Sequence, residues 1–482
     1  MIFLCRFSFP SICLKKAPDG IFIYMNTNPS IFKAYDIRGI YDADFDDSFA
    51  YQLGLAYCQL RREELGRDDF TIVVGRDMRL SSPALQAELI RGLVDGGAEV
   101  IDVGLVSTPT FYFAVAHHKY DGGIQVSASH NPKEYNGFKL VRNMAAPIGE
   151  DSGIQDLKKI ILEQGVVPHV RKGSVRAQDG IVAEQVAYDL GFAKQVDIKP
   201  LKIVVDTSNA MGAPYFDELL KHLPQLTVEK MNWDLDGSFP AHEADPFKPE
   251  NIAALCERVK ASGADLGIAT DGDSDRIFFV DDSGRAITPS VTRAILCKLF
   301  LQDKPGATIA YDIRPGRMTY DTIVANGGSP LMTRVGHSLI KQAVIDAGAY
   351  FAGESSGHFC LNMEAEGCYE IPGIVALKLM AEISKSGQKF SEYVKPYEKY
   401  FSSGEINLKV EDAAAVIEKL KEAYADGKQN LLDGLSVEYP EYWFNVRASN
   451  TEPLLRVSLE AVSEEVMKRE KELLVGNINR KG

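Results

Sequence analysis

The sequence contains no apolar run long enough to span a bilayer. Its most apolar stretch is the first 25 residues, MIFLCRFSFPSICLKKAPDGIFIYM, and Arg6, Lys15 and Lys16 interrupt it. Those charges fall inside and after the apolar residues, the reverse of the order in a secretory signal. Met25 opens a more ordinary start, MNTNPSIFKAYDIRG, so residues 1–25 read as a leader and Met25 as the expected initiator. An excess of basic residues is also missing. Lys and Arg number 53 against 67 Asp and Glu, for a net charge of −14. Such a surface repels phosphate backbones and anionic lipid heads. Neither nucleic acid nor membrane is therefore an expected partner. A phosphorylated small molecule remains compatible, because a local basic pocket overrides the global field. Paired cysteine spacing is absent: the seven cysteines are odd in number and show neither zinc nor redox spacing. Reduced thiols in a cytoplasmic protein are the expectation. Low-complexity segments and long linkers are missing too.

At 482 residues the chain has room for three or four domains. Three stretches repeat one pattern of β-rich run, polar or glycine-rich loop and helix-like segment. In the first, Thr71–Val74 reads as a strand and Ser82–Leu93 as a helix, with Ser81 or Ser82 as cap and Gly96–Gly97 as stop. The tail differs. Val410–Tyr424 and Ser463–Leu474 have amphipathic helical spacing, and Tyr442–Val446 and Leu454–Leu459 read as strands. The expected fold class is α/β: three similar mixed α/β domains with mostly parallel sheets, plus a smaller C-terminal α+β domain, around a central cleft. The expected bounds are 26–175, 176–285, 286–397 and 398–482.

Five segments carry candidate chemistry. Ser127-Ala128-Ser129-His130-Asn131-Pro132 follows a strand, where free backbone N–H groups can bind phosphate and a serine can act as nucleophile. Taken alone, it also fits a turn in which Ser129 and Asn131 bond their own backbone. Asp271, Asp273 and Asp275 in DGDSDR alternate along an extended loop and can converge on a hard cation. An EF-hand would need a Glu at position 282, which is Asp, so that alternative is poor. The lack of His and Cys favours magnesium over zinc. Gly353-Glu354-Ser355-Ser356-Gly357-His358 offers polar groups for sugar hydroxyls. Arg447-Ala448-Ser449-Asn450-Thr451-Glu452-Pro453, with Arg456 behind it, has the donors of a phosphate cradle. Tyr35, Arg38, Arg76 and Arg79 stand in loops of the first stretch; their arginines either meet phosphate or make surface ion pairs with Asp36 and Asp77. Together these are the parts of a phosphoryl transfer between sugar positions.

SASHNPKEYNGFK, DGDSDR, GHSLIK, GESSGH and RASNTEP occur here in order, and the chain from Phe32 to Ala461 resembles the α-D-phosphohexomutase superfamily, closest to its bacterial phosphomannomutase/phosphoglucomutase group. The resemblance implies four domains around a deep cleft and interconversion of hexose 1- and 6-phosphates through a phosphoserine and a hexose 1,6-bisphosphate. It implies Ser129 as phosphoryl carrier, and Asp271, Asp273, Asp275 and a phosphoserine oxygen as ligands of Mg²⁺. Ser129, His130, Lys139, Arg276 and His358 form the implied catalytic set, with Lys139, His358 and Arg38 as acid/base candidates. Tyr35, Arg38, Arg314, His337, Glu354, Ser356 and His358 would meet the sugar, and Arg447, Ser449, Asn450, Thr451 and Arg456 the distal phosphate. The partner is then a small sugar phosphate, and the protein a monomer or small homo-oligomer. Ser274 stands where relatives often have glycine, Arg314 where they often have lysine, and Pro372 near a helix start where many have none. Asn450 and Phe138 favour the mannose/glucose group over phosphoglucosamine mutase. Intact Ser129 and aspartates argue against a non-catalytic sugar-phosphate binder.

Overall fold

The computed structural model describes residues 14–16, 22–24, 27–193, 197–363, 366–448 and 454–479. Beyond a short antiparallel pair at Leu14–Lys16 and Phe22–Tyr24, the described residues form four sheets. The first runs Ile37–Ile40, Tyr135–Arg142, Gly122–Val126, Thr71–Arg76, Glu99–Leu105 and Ser174–Ala177 in spatial order. The second runs Leu226–Met231, Leu201–Asp206, Leu266–Thr270, Ile277–Asp281 and Ala286–Ile287. The third runs Ser329–Thr333, Thr308–Asp312, Phe351–Gly353, Phe359–Asn362 and Cys368–Glu370. Apolar runs such as Ile203-Val204-Val205 are buried on both faces, as strands covered by helices on each side require.

Parallel pairing dominates only one side of each of these sheets. Gly122–Val126 pairs parallel with Thr71–Arg76 but antiparallel with Tyr135–Arg142. Leu266–Thr270 pairs parallel with Leu201–Asp206 and antiparallel with Ile277–Asp281. Phe351–Gly353 does the same between Thr308–Asp312 and Phe359–Asn362. The switch has a local cause. After each of these strands the chain turns straight back through a short polar loop, and such a return can only form an antiparallel neighbour. Those three loops are the ones that begin at Ser127, Asp271 and Glu354. Each lies at the carboxyl end of its strand, where open α/β sheets bind ligands.

The tail forms an all-antiparallel sheet in the order Phe401–Lys409, Leu454–Ala461, Tyr442–Ala448, Leu435–Glu438 and Lys428–Asn430. The helix read from Val410 begins instead at Ala413, because Asp412 accepts the Ala415 N–H and caps it there. The final helix is Glu464–Asn479, longer than its apolar spacing implied. Ser81 precedes the helix Ser82–Asp95 but makes no side-chain cap bond; the Ser82 hydroxyl donates to Asp77 instead. Pro372 occupies the first turn of the helix Pro372–Ser386, where its missing N–H costs nothing. The five described cysteines form no disulfide. Among the described residues no helix is long and apolar enough to cross a membrane.

Candidate active site

Three loops from three sheets meet at one buried point. Ser129 follows the strand Gly122–Val126 and is 2% exposed. Its backbone takes the left-handed conformation, φ 51°, which non-glycine residues seldom adopt. The Ser129 N–H donates to Ser127 Oγ at 3.0 Å, so the local turn foreseen as an alternative coexists with the site. Ser129 Oγ donates to Asp271 Oδ2 at 2.8 Å and lies 3.2 Å from His130 Nδ1.

Asp271, Asp273 and Asp275 extend from the strand Leu266–Thr270, and all three are buried. Their ligand atoms lie within 4.8 Å of one another. Burial, followed by the neighbouring Asp275 and Asp273, pushes the Asp271 carboxyl well above the ordinary range. Burial acts the same way on Asp275, but Lys139 and His358 outweigh it and hold Asp275 well below that range. Lys139 Nζ lies 2.7 Å from Asp273 Oδ2 and 2.5 Å from Asp275 Oδ2. Burial disfavours its charge, yet these two carboxylates raise its pKa well above that of an ordinary lysine. The donor set is all oxygen, and Asp273 Oδ1 is buried with no hydrogen-bond partner. These residues fit a hard divalent cation.

Ser274 sits between two of the carboxylates at φ 61°. That angle explains in physical terms why glycine suits the position. Arg276 closes the loop. Its N–H donates to Asp271 Oδ1 at 3.1 Å, and its backbone bridges His358.

The third loop faces this cluster. His358 Nε2 lies 3.2 Å from Asp275 Oδ1, and Nδ1 lies 3.2 Å from Glu354 Oε2 and 3.0 Å from Ser356 Oγ. Burial lowers the His358 pKa, but Asp275 and Glu354 raise it to about 9 against the pull of Arg276. His358 is thus charged at neutral pH. His130 is the opposite case. Burial, then Arg276 and Arg38, hold it well below the usual histidine value, so it is neutral. Arg314 donates through Nε to Asp312 Oδ2 at 2.7 Å and lies 3.1 Å from Glu354 Oε1 through Nη2. Its planar fork spans two carboxylates through separate nitrogens, a geometry that a single ammonium does not reproduce.

His337 stacks on His358 at 5.5 Å, and Tyr35 packs against His337 at 5.7 Å. Arg38 donates to Asn131 Oδ1 at 2.6 Å and pairs with Asp36, so it holds the serine loop as well as making the ion pair. Arg447 and Arg456 meet at one carboxylate, Glu405, at 3.4 and 3.0 Å. Ser449, Asn450 and Thr451 lie outside the described residues.

Sequence reasoning missed Glu405, Asp312 and Thr108. The Thr108 hydroxyl and N–H hold Asp273 at 2.5 and 3.0 Å. Its only signal was Ser107-Thr108-Pro109 opening a helix after a strand. Glu405 sits in a mostly uncharged strand with no motif, and Asp312 was legible only as a neighbour of Arg314.

Comparison with known proteins agrees with this geometry. Residues 29–165, 182–284 and 289–400 match the phosphoglucomutase/phosphomannomutase alpha/beta/alpha domains I, II and III, and 405–476 match the C-terminal domain of the same family. The chain is 37% identical over 446 residues to a phosphomannomutase of Escherichia coli, covering 90% of this chain and 96% of that protein. It is 38% identical over 447 residues to the phosphomannomutase/phosphoglucomutase of Pseudomonas aeruginosa, covering 91% and 93%. A crystal structure of a phosphoglucomutase/phosphomannomutase family protein from Burkholderia thailandensis superposes with a TM-score of 0.83 at 34% identity, covering 94% of this chain and 97% of that one. With four domain matches along its length and relatives this similar over nine-tenths of it, the chain belongs to the phosphoglucomutase/phosphomannomutase family.

Proposed function

We propose that this protein interconverts hexose 1-phosphate and hexose 6-phosphate, with mannose, glucose or both as the sugar, and carries the migrating phosphoryl group on Ser129. The observation that supports this most is the 2.8 Å contact of Ser129 Oγ with Asp271, inside a cluster of three buried carboxylates. On this reading Asp271, Asp273, Asp275 and a phosphoserine oxygen hold Mg²⁺, which when bound neutralises charge on the phosphoryl oxygens. The domain bounds 26–175, 176–285, 286–397 and 398–482 go with it.

The chain's own residues do the rest. In the forward half-reaction the Ser129 Oγ–P bond breaks as a bond forms from phosphorus to the free C1 or C6 oxygen of the sugar. That hydroxyl gives up its proton, and Ser129 Oγ ends as a hydroxyl. Lys139, His358 and Arg38 are the charged donors around this exchange, and the neutral His130 lies beside Oγ. Arg276 balances the charge of the phosphoryl group. Glu354, Ser356 and His358 take the sugar hydroxyls, while Tyr35, Arg314 and His337 line the cleft beside them. Arg447 and Arg456, with Ser449, Asn450 and Thr451, take the distal phosphate. The resulting hexose 1,6-bisphosphate turns over within the cleft and returns its other phosphate to Ser129.

The test is a mutase assay with Mg²⁺, trace glucose 1,6-bisphosphate, and mannose 1-phosphate or glucose 1-phosphate. Turnover of either or both sugars that is lost with EDTA and in Ser129→Ala supports this reading. Turnover of glucosamine 6-phosphate alone would replace it with phosphoglucosamine mutase. No turnover of any of the three would leave a sugar-phosphate binder.

A further inference from the structure

Arg79 is a fully buried cation that the reaction above does not use. It does not meet the phosphate sites, and the ion pair foreseen for it with Asp77 forms in the interior rather than at the surface. Its guanidinium donates four hydrogen bonds, all to main-chain carbonyls of the serine loop and the first residue of the strand after it. Nη2 reaches Ser129 O at 2.8 Å and Asn131 O at 2.6 Å; Nη1 reaches Pro132 O at 2.8 Å and Tyr135 O at 2.9 Å. Asp77, equally buried, supplies the counter-charge at 3.3 Å from Nε. The Asp77 N–H in turn donates to Val126 O at 3.0 Å, tying this segment to the strand that launches the loop. The second sheet's segment seals the far side. The Phe239 ring lies 5.1 Å from the guanidinium carbon, and a Cβ on Gly237 would come within 2.8 Å of Arg79 Cα.

We propose that Arg79 is a positioning residue that sets the conformation of Ser129 for phosphoryl transfer; this rests on the reading of Ser129 as the carrier. Ser129 holds φ 51°, a conformation that needs outside support. Four carbonyls drawn to one planar cation provide that support. A trans peptide points its N–H opposite to its C=O, and none of the described peptides is cis. Drawing the Ser129 carbonyl back onto Arg79 therefore turns the His130 N–H forward, to the side where a phosphate on Oγ would need donors. The same carbonyl also faces the carboxylate loop, since a Cβ on Gly272 would lie 2.3 Å from Ser129 O. Arg79 thus fixes the atom against which the two loops are spaced. Lysine has the charge but not the fork, and cannot hold four acceptors in one plane.

The experiment compares wild type, Arg79→Lys, Arg79→Ala and a structural control, Arg61→Lys. Arg61 is another buried arginine of the same domain, and it donates to Asp121 O at 2.8 Å, away from the site. Each full-length protein is incubated with glucose 1,6-bisphosphate and Mg²⁺. Ser129 phosphorylation is followed by intact mass, then kcat and KM for mannose 1-phosphate are measured beside Tm. Arg79→Lys is expected to fold, to load phosphate slowly and to lose about 100-fold in kcat, with KM within about threefold, as a displaced nucleophile does. Arg61→Lys is expected to lower Tm while keeping kcat. Added guanidinium ion is expected to restore part of the rate of Arg79→Ala; should that variant not fold, Arg79→Lys alone decides. A kcat for Arg79→Lys within about threefold of wild type overturns the proposal, as does a loss that Arg61→Lys reproduces at equal Tm. A wild type that never gains phosphate on Ser129 overturns the carrier reading itself, before any variant is compared.

Discussion

Two buried arginines stand behind two of the functional loops, and they work differently. Arg79 spends its fork on backbone carbonyls around Ser129. Arg293, behind the Glu354–His358 loop, spends its own mostly on side chains. It donates to Thr319 Oγ1 at 2.9 Å, Asp312 Oδ1 at 2.8 Å and Ser355 Oγ at 3.1 Å, with a longer contact to Gly353 O. Asp312 then accepts from Arg314, which reaches Glu354. On the proposed function, the contrast follows from what each loop must deliver. A nucleophile needs one atom at one place, so its backbone is fixed. A reader of sugar hydroxyls needs particular charges, so a relay of alternating charge is fixed instead.

The sharpest break of this contrast is Arg293→Met. It leaves Asp312 buried beside fewer cations and is expected to cost about 3–5 kcal/mol of stability. An unchanged urea midpoint would show that the relay does not depend on Arg293.

Asp189 tests the seam between the second and third domains. It lies on the helix Ile181–Phe192 and accepts the Tyr215 hydroxyl at 2.6 Å, and a Cβ on Gly373 would sit 2.8 Å from it. Burial pushes its pKa up to about 7, partly offset by the Tyr215 bond. Between about pH 4 and 7 the folded chain therefore keeps a proton that the unfolded chain releases. Stability falls as pH rises through that window, by on the order of 4 kcal/mol at most. Asp189→Asn is expected to flatten this slope, measured as urea midpoints at pH 5, 6 and 8. A slope equal to wild type would assign the pH dependence elsewhere.

Arg314→Lys keeps the charge but drops one of two carboxylate partners. KM for the sugar phosphate is expected to rise about tenfold, or about 1.4 kcal/mol, with kcat less affected. An unchanged KM would show that charge, rather than the fork, is what the relay passes on. The smallest expected effect is in the carboxylate loop. Ser274→Gly relieves a left-handed serine and is expected to raise stability by about 1 kcal/mol, seen as a slightly higher Tm. A lower Tm would mean that the serine hydroxyl contributes more than its backbone costs.

Much of the site was legible because its loops are contiguous. Ser129 with His130, the three alternating aspartates, and Glu354 to His358 each announce their chemistry within seven residues or fewer. The strands Thr71–Arg76, Leu201–Asp206 and Thr308–Asp312 were legible as apolar runs. What remained hidden acts across distance. Thr108 meets Asp273 from 165 positions away, and Glu405 meets Arg456 from 51. A polar residue with a distant partner looks the same in sequence as one facing water. Arg79 was hidden differently. Its residue type suggested phosphate, but its acceptors are carbonyls, which every residue carries and no sequence pattern marks. The half-antiparallel sheets were missed because strand direction depends on whether a loop turns back or crosses over, which apolar periodicity does not encode.

Ser129 and Lys139 come from the first sheet, and the three aspartates from the second. Each part alone is electrostatically unfinished: one would bury an unpaired ammonium and the other three unpaired carboxylates. A chain emerging from the ribosome therefore acquires this site only once residues through Arg276 have cleared the exit tunnel and the two parts have docked. Until then both surfaces stay wet, and Ser129 lacks the Asp271 carboxylate that accepts its hydroxyl. Each sheet thus supplies the charge that the other lacks, and neither holds the site alone.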